Sequence, residues 1–185
     1  MSEYFYVVAS LPLLRYDEQP PVTREYFLAA CEGNIEPRHF VLVSQAGNEN
    51  LEDNNHGSPV LESWINREIN LRNNLVELRA RKKGTDPSTQ MRDCPYVPGA
   101  SQVAQEAYSL DSPLEAEELL GRGRWDFLDQ LESGHYFDEE KLVLYSLKLQ
   151  ILERRARWQA ERGEAVFREN VSKVKETIGI GEDSA

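Results

Sequence analysis

Ser112-Pro113-Leu114-Glu115, then Arg124-Trp125-Asp126-Phe127-Leu128-Asp129-Gln130-Leu131, then Leu142-Val143-Leu144-Tyr145-Ser146-Leu147-Lys148-Leu149: these three pieces of the stretch 112–167 decide the fold. The first is a capping box, in which the serine hydroxyl accepts a backbone N–H three residues on and proline sits where a missing N–H costs nothing. The second is a short aromatic helix that stops at Gly134, separated from the first by Gly121-Arg122-Gly123, which reads as a kinked hinge. Asp138 caps the third. In it Leu142, Tyr145, Leu149 and Leu152 recur at helical spacing, while Leu144, Leu147, Ile151 and Trp158 form a second line. A helix apolar on two sides lies between other helices.

Outward from this stretch the other segments are also helical in pattern. Ser58-Pro59 opens a long helix with Leu61, Trp64, Leu71, Leu75 and Leu78 on one stripe and Arg79, Arg81, Lys82 and Lys83 before Gly84. Cations in a last turn complement the helix dipole, and glycine supplies the left-handed stop. Thr23 caps a helix through Cys31 that presents Tyr26, Phe27 and Ala30, and Pro37 opens another, Arg38 to Gln45, with Phe40, Val41 and Val43 inward. The run Tyr4–Pro12 has the composition of either a buried strand or a helical turn. With no partner strand elsewhere we read it as helix. A short helix over Gln102–Tyr108 and a last one over Glu164–Ile178, with Phe167, Val171, Val174 and Ile178 on one face, complete the pattern. Gly47–Gly57 is a loop by composition, and Gly179–Ala185 a frayed tail. The sequence therefore predicts an all-α bundle of seven or eight helices in one domain, 1–178. The three prolines of Thr85–Gly99 mark a boundary between lobes 1–84 and 100–178.

Composition narrows the function classes. The 185 residues are 40% hydrophobic and 29% charged, enough for a substantial core and too apolar for disorder. No apolar run reaches the roughly 18 residues of a membrane span, and Met1-Ser2-Glu3-Tyr4 has no basic leader, so a cytoplasmic protein is expected. The net charge of −11 works against nucleic-acid binding, which depends on cations displacing counterions. Cys31 and Cys94 form no CxxC pair and read as indifferent thiols. His39, His56 and His135 have no metal-ligand spacing; His135 with Asp138 and Glu139 is the nearest to one, and a capping role fits it better. The carboxylate pairs Glu117-Glu118, Asp126 with Asp129, and Asp138-Glu139-Glu140 lie at helix starts or on exposed faces, where they solvate and complement the dipole. Arg79–Lys83 and the trio Arg154, Arg155 and Arg157 fall in the second halves of their helices, where cations are expected; either group could also meet an anionic partner. The three tryptophans are core anchors by position, with Trp125, beside the glycine pair, the one placed to reach an interface. No nucleophile turn or phosphate loop is present, and neither catalytic residues nor a cofactor is expected.

Several motifs in order carry a resemblance: Tyr4–Pro12; Leu71-Arg72-Asn73-Asn74-Leu75 with Arg79-Ala80; Pro113-Leu114-Glu115-Ala116-Glu117; Arg124-Trp125; Phe137-Asp138; and Tyr145-Ser146-Leu147-Lys148-Leu149-Gln150-Ile151-Leu152-Glu153-Arg154. Together they resemble a bacterial family encoded with V/A-type ATP synthase operons and related to the central-stalk subunit that links the rotor shaft to the membrane ring. The resemblance implies an all-helical, non-enzymatic protein whose partners are other subunits of that ATPase, the rotor shaft and membrane ring first. Such a protein is peripheral to the membrane and has no span of its own. The stalk relative is built from three related helical subdomains, more than 185 residues can hold. An assembly or regulatory factor of the same ATPase is therefore the alternative, and a small hydrolase of unknown class the third.

Overall fold

The computed structural model describes residues 3–46 and 57–178, with side chains at 4–46 and 57–159. Among them are seven helices and no strand: α1 Glu3–Ser10, α2 Arg24–Cys31, α3 Pro37–Ala46, α4 Pro59–Lys83, α5 Ala100–Ser109, α6 Pro113–Leu131 and α7 Glu139–Ile178. The protein is an all-α bundle. Residues 47–56, which include His56 and most of the asparagine-rich loop, and the tail 179–185 lie outside the described residues.

Local chemistry sets the helix starts. Thr23, Ser58 and Ser112 each accept the backbone N–H of the residue three positions on, Tyr26, Leu61 and Glu115, at 3.2, 3.0 and 3.4 Å. Asp138 Oδ1 accepts from the Lys141 N–H at 2.9 Å. Each such cap satisfies a donor that the helix itself cannot. At the far end of α4, Gly84 turns into the left-handed region (φ 67°) and its N–H reaches the carbonyls of Ala80 and Arg81.

α7 is the axis of the bundle. Residues 142–149 are buried without a break, more than two turns, so the helix is sheathed on every side over that length. α1, α2, α3, α4 and α6 all pack against it. Leu142, Leu144, Leu147 and Leu149 are fully buried, together with Phe27 of α2, Val43 of α3, Leu61 of α4 and Leu128 of α6. Each such leucine contributes about 1.5–3 kcal/mol relative to its exposed state. Phe27 and Tyr145 meet with ring centroids 5.0 Å apart. A second, smaller cluster joins α4, α5 and α6 through Leu71, Ala104, Ala107 and Leu120.

Two boundaries differ from the sequence reading. The capped helix at Ser112 and the aromatic helix Arg124–Leu131 are one helix, α6, and Gly121-Arg122-Gly123 is no hinge. The glycines are there for space. A Cβ at Gly121 would stand 2.7 Å from the Tyr16 hydroxyl, and one at Gly123 would stand 2.8 Å from Cγ1 of Val103. Similarly, the helix opening after Asp138 and the one expected over Glu164–Ile178 are a single 40-residue helix, about 60 Å long. One interior glycine, Gly163, costs only about 0.5–1 kcal/mol, too little to end a helix flanked by good helix formers. The side chains of its final face, Phe167 to Ile178, lie outside the described residues.

The connection 85–99 lies back along α4. Asn73 of α4 donates to the Arg92 carbonyl at 2.7 Å and accepts the Arg92 N–H at 3.0 Å, as a neighbouring strand would. One turn away Asn70 donates to the Pro95 carbonyl at 2.7 Å, and Arg67 donates to that of Pro98 at 3.2 Å. α4 and α5, on either side of this connection, pack along each other, and α5 packs on α6.

Candidate functional site

Three groups of charged side chains sit at helix contacts. The first lies at the start of α7. His39 of α3 pairs through Nε2 with Glu139 at 2.5 Å, and its Nδ1 is bonded to the Tyr4 hydroxyl of α1. A Tyr–His–carboxylate chain resembles the orienting half of a catalytic triad. Here both ring nitrogens are occupied by helix-to-helix contacts, so the histidine acts as a clamp. His135 is bonded to Asp138 at 2.7 Å. Glu140, buried in the same turn, accepts from the Ser58 hydroxyl at 2.5 Å. Burial pushes its carboxyl above the usual range, and the Ser58 bond only partly offsets this. His39, His135, Asp138 and Glu139 thus gather around one helix terminus, yet no group of three His, Cys, Asp or Glu side chains among the described residues could hold a metal ion.

The second group ties α6 to α4. Arg124 Nε donates to both oxygens of Glu68, at 2.9 and 3.1 Å, and its Nη1 donates to Glu117 at 3.4 Å. Burial works against the arginine's charge, and the two carboxylates more than offset it. Glu117, which reads in sequence as a solvated pair with Glu118, is instead shared with Arg154 of α7 at 3.4 Å.

The third surrounds a cleft of about 490 Å³ between the Leu11–Tyr16 connection, α6 and α7. Trp125, Tyr145 and Leu142 line its apolar side. Trp125 is only 5% exposed and meets the edge of the Tyr16 ring at 5.6 Å, so it is a wall of the cleft and not an open interface residue. Tyr145 donates to the Pro12 carbonyl at 3.1 Å, which pins the connection to α7; burial pushes its phenol up to about 12. Lys148, deep in the cleft, is bonded to Asp129 at 2.6 Å and Glu132 at 2.5 Å, and its ammonium lies 5.2 Å from the centre of the Trp125 ring. Lys141 also reaches Glu132. Burial would raise the Glu132 carboxyl, but the two lysines together hold it below the usual range. At the mouth, Arg122 lies over the Tyr16 ring at 4.4 Å and reaches Asp17 at 3.1 Å, and Arg15 pairs with Glu18 at 3.3 Å.

Pattern reading passes over this cleft. The signal that could have found it is Lys148, since a lone cation inside a leucine run needs a buried partner. Its partners Asp129 and Glu132 lie 19 and 16 positions away, across a turn, where no spacing rule points. The Arg79–Lys83 cations are in the last turns of α4, with Arg81 on Glu77 at 2.6 Å. Cys31 is fully buried and its thiol is pushed up to about 12, so it is inert, and Cys94 accepts a bond from Asn70 at 3.2 Å.

Fold and site together define an all-helical protein held by buried ion pairs, with a cation-lined cleft among its described residues. A family model described as a protein of unknown function (DUF2764) matches residues 105–178, which cover part of α5 and all of α6 and α7. No curated protein and no solved structure matches the chain. No helix among the described residues is long and apolar enough to cross a membrane.

Proposed function

We propose that the protein is a non-catalytic component of a V/A-type ATPase, a central-stalk part linking the rotor shaft to the membrane ring. The observation that carries this reading is the ordered series of motifs from Tyr4 to Arg154. In the structure those motifs fall on positions that set the fold: Asn73 holding the 85–99 connection, Arg124 in its buried ion pairs, Asp138 capping α7, and Tyr145–Leu152 forming the axis of the bundle. The all-helical architecture agrees with what such a relative requires. Ion pairs joining α6 to α4 and α7 suit a part that transmits load, because charge pairs with fixed geometry resist sliding between helices.

Affinity-tagged protein is expected to retain rotor subunits from solubilised membranes. Recovery of an intact ATPase that lacks this protein and still couples hydrolysis to ion pumping would overturn the stalk role. The second reading is an assembly or regulatory factor of the same ATPase that binds the complex transiently. Capture of soluble, unassembled subunits alone would select it.

A further inference from the structure

We infer that the cleft beside Trp125 is a binding site for a small amphiphilic carboxylate, with an aliphatic or aromatic body and one negative charge. Nothing in this site depends on the ATPase reading. A volume of about 490 Å³ lies in the range of small-molecule sites, which combine apolar walls with a few placed polar groups. Leu11 and Leu13, which are accessible, and the edge of Trp125 supply apolar walls. The charge lining the cleft is opposite in sign to that of the chain: Arg15, Arg122, Lys141 and Lys148 face it against Asp129 and Glu132, in a protein of net charge −11. Lys141 and Lys148 are already engaged by those two carboxylates. The guanidiniums at the mouth are different. Their partners, Asp17 and Glu18, do not line the cleft, and the pairs are largely solvent-exposed, with the Asp17 side chain 70% and the Glu18 side chain 61% accessible. Exposed pairs of this kind are weak. Arg15 and Arg122 can therefore exchange them for a carboxylate whose body fills the cleft, because the apolar contact of that body adds to an ion pair that is weak by itself.

The test is calorimetric titration of the full chain with decanoate as probe, alongside decyltrimethylammonium and decanol. Decanoate should saturate a single site below about 1 mM, and the cationic and neutral chains should bind at least about tenfold more weakly. Arg15→Gln removes a charge whose side chain is exposed, and Arg122→Gln removes the second; each should weaken decanoate about fivefold, the double variant more. Arg38→Gln, on α3, exposed and outside the cleft lining, should leave it unchanged and so separates the site from general attraction of anions. Melting curves identify any variant that fails to fold, and Arg15→Gln carries the test if Arg122→Gln does. No saturation by decanoate, equal binding of all three chains, or indifference to Arg15→Gln would overturn the inference.

Discussion

The two apolar clusters among the described residues are built on opposite plans. Around α7 the core is made of large side chains, with Leu142, Leu144, Leu147, Leu149, Phe27 and Leu128 interdigitated and fully buried. Between α4, α5 and α6 it is made of small ones. There Ala104, Ala107 and Gly123 bring backbones and branched side chains close, with only Leu71 and Leu120 as large buried members. The first plan gains its energy from the area removed from water and the second from close approach. One fails when a side chain is made smaller, the other when one is made larger.

Mutations sharpen this contrast. Leu149→Ala should have the largest effect, about 2–5 kcal/mol of stability lost, because it opens a cavity in the most tightly enclosed part of α7. A denaturation midpoint unchanged within error would show that this face is not core. Gly123→Ala should cost about 1–3 kcal/mol, since its methyl group would overlap Val103. On helix propensity alone it should gain about 0.5–1 kcal/mol. The sign of the change in melting temperature therefore separates a packing glycine from a tolerated one. Val103→Ala in the Gly123→Ala background should recover part of the loss.

Two glutamates at the α6–α7 junction make the same kind of comparison for charge. Glu132→Gln should destabilise by about 1–2 kcal/mol, because Lys141 and Lys148 lose their shared carboxylate. The folded protein holds this carboxyl below its usual range, so its contribution is present at neutral pH and is lost as pH falls below about 4. Glu140→Gln should have the smallest effect, within about 1 kcal/mol at pH 7 and in the stabilising direction. Its folded-state carboxyl is raised by burial, so the charged form opposes folding as pH rises through that raised value. Melting temperatures of both variants across pH 3–8 should diverge from wild type in opposite senses. Parallel curves would show that the two carboxyls share one environment.

How far the fold is legible in sequence follows from these plans. Leu142, Tyr145, Leu149 and Leu152 announce a buried helix because a hydrophobic stripe is a local property, and Ser58, Ser112 and Asp138 announce helix starts because a cap spans three residues. Gly121 and Gly123 read as a hinge because glycine looks the same in sequence whether it releases a helix or admits a neighbour. The difference lies in Tyr16 and Val103, 105 and 20 positions away. The long α7 divides near Gly163 in a pattern reading for the same reason. Much less of the site is legible. Lys148 is a cation among leucines, but nothing local names Glu132 and Asp129.

The sequence by itself determined helical class, the caps, the stripe that makes α7 central and the acidic surface, all of which depend on composition or on contacts within a turn or two. Tertiary structure alone decided that α6 is continuous, that Asn70 and Asn73 bind the 85–99 connection, that His39 is a clamp between α1 and α7, and that four cations converge on one cleft in an acidic protein. Those outcomes depend on which surfaces meet, and a pair of residues many positions apart carries no periodicity to show that it will be in contact.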